Sequence, residues 1–168
     1  MSTAQRIPGD HLLFFLTAIL GTVADLLSKH LVFRFYHDGA YHDVVPLFLQ
    51  IYCCNNYGAL FSIGQGWGPL FVVLSIAAVV FIPVMHVRLA PTAGQWQAFG
   101  LGAIEAGALG NLCDRLFFGS VRDFVVLHWG EHRWPTFNIA DALICAGLAA
   151  LFVSTLRKPH RDEPSTVA

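Results

Sequence analysis

The chain has 168 residues, of which 55% are hydrophobic and only 12% are charged, and its mean hydropathy is +0.58. A soluble globular domain carries about 25% charged residues, so the composition predicts an integral membrane protein and excludes an ordinary soluble enzyme. The length predicts one domain spanning residues 1–168. The formal net charge of −1 gives no basis for a nucleic-acid partner, which would require a basic surface.

Four apolar runs are long enough, or nearly so, to cross a bilayer as helices. They cover residues 12–33, 69–87, 96–112 and 138–156. The first run contains Asp25 and Lys29 and lacks a small-residue cleavage site, so it is interpreted as a retained helix rather than a signal peptide. Gly107 and Gly110 in the third run predict close helix packing. The fold class expected is therefore an all-α membrane protein with four transmembrane helices and a disordered tail at 162–168.

Two polar segments interrupt these runs, at residues 34–67 and 114–135. Val44 to Cys54 is rich in β-branched and aromatic residues and predicts a strand within a small sheet and loop region. Four spans would place both termini on one side, and the basic residues that flank that side favour cytoplasmic termini. The two polar segments, with the sheet, would then be periplasmic.

This topology gathers polar residues from distant parts of the chain at one membrane face. The group comprises Asp25, Lys29, Asn56, Asn111, Asp114, Asn138 and Asp141. The pairs Asn111/Asp114 and Asn138/Asp141 are each spaced i, i+3 and share a helix face. Asp25 and Lys29 are four residues apart and can pair; the alternative is an ion pair that only lowers the cost of membrane insertion.

Carboxylates at the edge of hydrocarbon indicate a functional site. Asp123 lies in the second polar segment, and Asp141 lies one turn inside the fourth run. Two close carboxylates share one proton, so one can accept a proton from water while the other donates to a carbonyl oxygen. That chemistry hydrolyses a peptide without a metal or a nucleophilic side chain. Asp114 is the weaker candidate, because it is followed by Arg115 and would be held ionised by a nearby positive charge or be solvated.

The chain resembles signal peptidase II, the bacterial lipoprotein signal peptidase family, in motifs spread from Leu12 to Leu156. The matching segments are Asn56-Tyr57-Gly58-Ala59-Leu60-Phe61-Ser62, the stretch from Gly107 to Arg115, Val121-Arg122-Asp123-Phe124, and Phe137-Asn138-Ile139-Ala140-Asp141. The resemblance implies an aspartic endopeptidase of the bacterial inner membrane with its site at the periplasmic face. It implies prolipoprotein substrates cut before a diacylglyceryl-modified cysteine, contact with membrane lipids, no cofactor and no metal. We also expect a monomer.

By motif position, the resemblance implies that Asp123 and Asp141 are the catalytic dyad. It further implies a supporting or substrate-binding set of Asp25, Lys29, Asn56, Gly58, Asn111, Asp114, Arg115, Asn138 and Ala140. Three residues depart from the family pattern without touching the dyad, namely Leu60 in place of alanine, Arg122 in place of an apolar residue, and Glu105 in an ordinarily apolar span.

A zinc peptidase, a proton-coupled transporter and a purely structural membrane protein each fit the sequence less well. His128-Trp129-Gly130-Glu131-His132 fits a zinc motif whose histidines must share a helix face, but Gly130 and Pro135 argue against a helix there. A proton-coupled transporter would need polar residues across the whole bilayer, and apart from Glu105 they gather at one face. The convergent aspartates also argue against a purely structural membrane protein. The four cysteines are interpreted as small apolar side chains.

Overall fold

The computed structural model describes residues 8–58, 64, 66–89 and 94–156. Within these ranges the elements are α1 (Pro8–Tyr36), β1 (His42–Val45), β2 (Leu49–Asn56), α2 (Gly68–Leu89), α3 (Gln95–Phe118), β3 (Val121–Trp129), β4 (His132–Arg133) and α4 (Ile139–Leu156). Three helices, α1, α2 and α4, are long and apolar enough to cross a membrane. The prediction of a mainly helical membrane protein with a small sheet is therefore confirmed. Leu60, Phe61, Ser62 and the tail at 162–168 lie outside the described residues.

Helix α3 is the centre of the bundle and packs against α1, α2 and α4. Its small residues make this possible: a Cβ at Gly107 would overlap the carbonyl oxygen of Ala140, and a Cβ at Gly102 would lie 2.6 Å from the carbonyl oxygen of Phe14. Close backbone approach of this kind is how helices associate in a bilayer. As predicted, Gly107 and Gly110 both lie at these contacts, and Gly110 faces Asp25.

Helix α3 is also longer than the sequence indicated. The second polar segment was expected to begin at Asp114, but the helix continues to Phe118 and ends at Gly119, whose φ of 71° is left-handed. The Gly119 N–H donates to the carbonyl of Arg115 at 3.1 Å. That prediction was wrong because Asp114 and Arg115 find buried polar partners and need not leave the helix to reach water.

The sheet is antiparallel in the order β1-β2-β3-β4. The single strand predicted over Val44 to Cys54 was wrong, because β1 and β2 form a hairpin that turns at residues 46–48. Leu47 takes the left-handed φ of 64° at this turn, which an apolar residue does not signal in a sequence. Strand β2 pairs with β3 so that Cys54 lies opposite Asp123, and this register places Asp123 over the end of the bundle.

Candidate active site

The site begins at the first turn of α4, where Asn138 precedes the helix. The side-chain Oδ1 of Asn138 accepts the N–H of Asp141 at 3.0 Å, and the Oδ2 of Asp141 accepts the N–H of Asn138 at 3.3 Å. This reciprocal capping satisfies backbone N–H groups at the start of α4 that would otherwise lack a hydrogen-bond acceptor. The N–H of Ala140 donates to the Oδ1 of Asp25 at 2.8 Å. The Asp141 carboxylate is thus fixed at a helix N-terminus, where the macrodipole favours negative charge.

Asp123 is held beside this turn by two carboxamides. Asn56 Nδ2 donates to its Oδ2 at 3.0 Å, and Asn138 Nδ2 donates to its Oδ1 at 2.6 Å. Only 1% of Asp123 is exposed. Burial and then the charge of Asp141 raise the pKa of Asp123 to about 7, against the lowering effect of the two asparagine hydrogen bonds. Asp123 therefore exchanges a proton near neutral pH.

Asn111 of α3 links Asp141 to a lysine. Its Nδ2 donates to the Oδ1 of Asp141 at 2.9 Å. Its Oδ1 accepts from Lys29 Nζ at 3.0 Å and from Asn138 Nδ2 at 3.2 Å. The two aspartates are therefore joined through neutral carboxamides rather than through cationic side chains.

Beneath the asparagines lies a buried network of four charged groups. Lys29 Nζ is 2.7 Å from Asp25 Oδ2, so the predicted pair is confirmed, and 3.5 Å from Asp114 Oδ2. Asp114 is fully buried, and its Oδ1 accepts from Arg122 Nη2 at 2.7 Å. Of the two alternatives for Asp114, solvation was wrong and a nearby positive charge is confirmed; the cations in contact with it are Arg122 and Lys29 rather than the adjacent Arg115.

Arg115 instead organises the segment after β2. Its Nη2 donates to the carbonyl of Gly58 at 3.1 Å, and its Nη1 lies 3.4 Å from the Asn111 carbonyl and 3.5 Å from Ser75 Oγ. The Gly58 N–H donates in turn to the Oδ1 of Asn56 at 2.9 Å. Arg115 therefore fixes the turn that presents Asn56 to Asp123.

A cavity of about 300 Å³ opens onto Asp141 between α2, α3 and α4. Its lining includes the polar side chains of Asn56, Ser75, Asn111, Arg115 and Asp141, and the apolar side chains of Phe71, Leu74, Ala78, Ile104, Ala108, Val121 and Ile144. One end is thus polar and the walls are apolar. Such a cavity suits a mainly apolar ligand whose polar part meets Asp141.

The structure brings all eleven predicted site residues to one end of the bundle, and their roles in catalysis stay predictions. Sequence reasoning missed the contact of Arg122 with Asp114, although it had marked Arg122 as unusual. It also missed Ser75, for which the sequence carries no signal beyond a hydroxyl in an apolar run. The His128–His132 segment is a β3–β4 hairpin rather than a helix, so its histidines do not share the helix face that the zinc motif requires.

The fold is that of a helical membrane protein, and the site holds a buried pair of carboxylates through carboxamides. These features are typical of an aspartic peptidase. The sequence model of the family described as "Signal peptidase (SPase) II" matches residues 17–157. The chain belongs to this family.

Relatives from several bacteria agree with this placement. The chain is 35% identical to the lipoprotein signal peptidase of Teredinibacter turnerae over 83% of this chain and 84% of that one. It is 36% identical to the lipoprotein signal peptidase of Aquifex aeolicus over 84% of each chain. Two solved structures described as a "Bacterial membrane enzyme structure" share the fold. One has a TM-score of 0.79 at 23% identity and covers 100% of both chains; the other has a TM-score of 0.73 at 24% identity and covers 94% of this chain and 99% of its own.

Proposed function

We propose that Asp123 and Asp141 are the catalytic dyad with which this bacterial membrane peptidase removes signal peptides from prolipoproteins. The observation that carries the proposal is that both carboxylates are hydrogen-bonded to Asn138, one through its side chain and the other through its backbone. A single residue therefore fixes the dyad across β3 and α4. Asn138 thus contacts both carboxylates, and the carboxylate of Asp141 also lines the cavity between α2, α3 and α4.

The proposed reaction uses one proton shared between the two aspartates. Asp123 carries it, in keeping with the raised pKa of this carboxyl, and donates it to the oxygen of the scissile carbonyl. Asp141 is ionised, takes a proton from water, and the hydroxide so formed adds to the carbonyl carbon. Collapse of the tetrahedral intermediate breaks the C–N bond, and the proton on Asp141 passes to the leaving nitrogen. The carboxyl product then forms as its hydroxyl proton returns to Asp123.

The remaining site residues support this chemistry in two ways. Asn56, Asn111 and Asn138 orient the dyad, and the first turn of α4 is braced by Asp25 through the N–H of Ala140. Arg115 lines the cavity beside Ser75, where it can hold the backbone of a bound peptide while it keeps Gly58 in place. No cofactor or metal is needed for any step.

The protein is further proposed to cross the bacterial inner membrane four times as a monomer. Helix α3 has 24 residues, which at 1.5 Å per residue is about 36 Å and enough to span a bilayer. Its many small and polar residues are compatible with a span, because three apolar helices surround it and shield it from lipid. Cytoplasmic termini would place the sheet and the dyad at the periplasmic face, consistent with the basic residue Arg88 at the opposite end of α2.

The substrate is proposed to be a prolipoprotein with a diacylglyceryl-modified cysteine, cut on the amino side of that cysteine. A site at the edge of the bilayer favours such a substrate, because lipid anchoring raises the local concentration of the scissile bond. The purified protein in lipid should cleave a lipidated precursor at least about tenfold faster than the same precursor without lipid.

Asp141→Asn protein is the control for contaminating peptidases, and an added chelator should leave the rate unchanged. Equal rates for lipidated and unlipidated precursors would contradict the substrate proposal. Loss of cleavage with chelator would contradict the metal-free mechanism.

A further inference from the structure

Arg122 contacts neither Asp123 nor Asp141 through its side chain but is linked to them through Asp114 and Lys29. It precedes Asp123 on β3, where successive side chains point to opposite faces. Its hydrogen bonds go to Asp114 rather than to Asp123 or Asp141. We infer that Arg122 is a positioning residue for the reaction proposed above, on which this inference rests. By neutralising Asp114 it leaves Lys29 free to hold Asn111, whose amide group orients Asp141.

The first link is the pair of Arg122 and Asp114. The backbone N–H of Arg122 donates to Asp114 Oδ2 at 2.9 Å, its Nε lies 3.2 Å from the same oxygen, and its Nη2 lies 2.7 Å from Oδ1. The guanidinium also lies over the ring of Phe118, 4.2 Å from its centroid. A bidentate contact between a guanidinium and a carboxylate is stronger and more directional than a single ion pair. Both oxygens of Asp114 are thus satisfied by Arg122.

The second link is the division of Lys29 among its acceptors. Its ammonium lies 2.7 Å from Asp25, 3.0 Å from the Asn111 oxygen and 3.5 Å from Asp114. The longest contact is to the carboxylate that Arg122 already neutralises. Without the guanidinium, Asp114 would be a fully buried carboxylate with Lys29 as its remaining salt-bridge partner, and an undercompensated buried charge is costly. Lys29 would move toward Asp114 and away from Asn111.

The third link is the orientation of the Asn111 amide. A lysine ammonium has donors and no acceptor, so Lys29 requires the amide oxygen of Asn111 to face it. The amide nitrogen is then directed to Asp141, to which it donates at 2.9 Å. If Lys29 moves away, this orientation loses a charged partner, and the Asp141 carboxylate loses its fixed position.

Arg122 also sets the charge around the dyad. The titratable and charged groups that interact with Asp123 and Asp141 are Asp25 and Lys29 of α1, Cys54 of β2 and Arg115 of α3. Asp114 and Arg122 act on them through Lys29, which contacts Asp114. In the buried network, two acids are balanced by two bases. Removal of Arg122 leaves one negative charge in excess, which stabilises the protonated form of the dyad.

The experiment compares Arg122→Leu with the native protein in lipid, using a lipidated precursor and counting activity per folded molecule. We expect kcat to fall roughly tenfold, the size of effect that a small misplacement of a catalytic group produces, with KM within about twofold. The alkaline limb of the pH profile should move up by roughly 0.5 pH unit. Arg122→Lys, which keeps the charge, should retain most of the activity. The double variant Arg122→Leu/Asp114→Asn, which restores the charge balance, should be as active as Asp114→Asn alone.

Arg133→Leu is the matched control, because Arg133 lies on β4 against Tyr41 and Gln50 and outside the network. It should keep native kcat and pH profile. Native kcat and pH profile in Arg122→Leu would overturn the inference, and so would a double variant no more active than Arg122→Leu. Should Arg122→Leu not accumulate, Arg122→Gln takes its place under the same criteria. If the native protein itself leaves the precursor uncut, the proposed function fails instead.

Discussion

Asp123→Asn and Asp114→Asn are a matched pair of substitutions that separates catalysis from stability. Both carboxylates are buried, with 1% and 0% exposure, and both changes preserve the shape of the side chain. An amide at position 123 cannot pass a proton to the scissile carbonyl, so kcat should fall by about 10³ or more, within the range of general acid–base effects. At 1.36 kcal/mol per tenfold change, that loss is about 4 kcal/mol of transition-state stabilisation. Asp141→Asn should lose as much.

Asp114→Asn should lower the stability of the protein and leave the activity of each folded molecule largely intact. It removes the negative charge that pairs with Arg122 at 2.7 Å and with Lys29 at 3.5 Å, and it replaces one acceptor oxygen with a donor. Removing one partner from a buried ion pair costs about 3 kcal/mol of stability. Activity per folded molecule should stay close to native and clearly above that of Arg122→Leu, because Lys29 still has Asp25 and Asn111 as partners.

The assay quantifies folded protein by size-exclusion chromatography in detergent and then measures cleavage of a lipidated precursor by equal amounts of each variant. The ratio of activity to folded protein isolates the chemical step from abundance. An Asp123→Asn protein with native activity would refute the dyad assignment. A well-folded but inactive Asp114→Asn protein would refute the structural role of Asp114.

Three further predictions follow from the geometry. Because burial raises the pKa of Asp123 to about 7, the dyad loses its proton as the pH rises through this value; kcat/KM should fall roughly tenfold per pH unit above it, and a flat profile from pH 7 to 9 would contradict the mechanism. Gly110→Ala should lower both folded yield and activity, because its Cβ would overlap the Asp25 carboxylate, whereas Gly68→Ala, with nothing within 4 Å, should be neutral. In a background without native cysteines, Glu131→Cys at the exposed hairpin should react with an impermeant thiol reagent added from the periplasm, and labelling only from the cytoplasm would reverse the proposed topology.

The sequence could predict which site residues share a helix face because their spacing is local. Asn138 and Asp141 are separated by three residues at the start of an apolar run, and this spacing alone places them on one face of α4. The structure adds that the two residues cap the helix reciprocally. Asp25 and Lys29 follow the same logic one turn apart on α1. Local periodicity therefore predicted the pairs on each helix, whereas the topology of the spans and the family motifs predicted that these pairs meet Asn56 and Asp123.

The sequence could not predict the partner of Asp114, because that partner depends on where the chain reverses. Neighbouring residues on a helix project about 100° apart, so Asp114 and Arg115 face different neighbours despite their adjacency. The chain turns at Gly119, and β3 then returns Arg122 to Asp114. The strand prediction failed for a related reason, because the left-handed residue at the β1–β2 turn is Leu47 rather than glycine or asparagine.

Burial raises the pKa of Asp123, and this rise is only partly offset because the hydrogen-bond partners of the carboxyl are neutral carboxamides rather than cations. Lysine or arginine in direct contact with Asp123 would favour its ionised form and remove the proton that the reaction needs. Asn56 and Asn138 instead satisfy the carboxyl with hydrogen bonds and bring no net charge. The cations required to bury further acids lie one layer away, where Lys29 and Arg122 balance Asp25 and Asp114. In the proposed mechanism, the single negative charge that remains on Asp123 and Asp141 is then available for proton transfer.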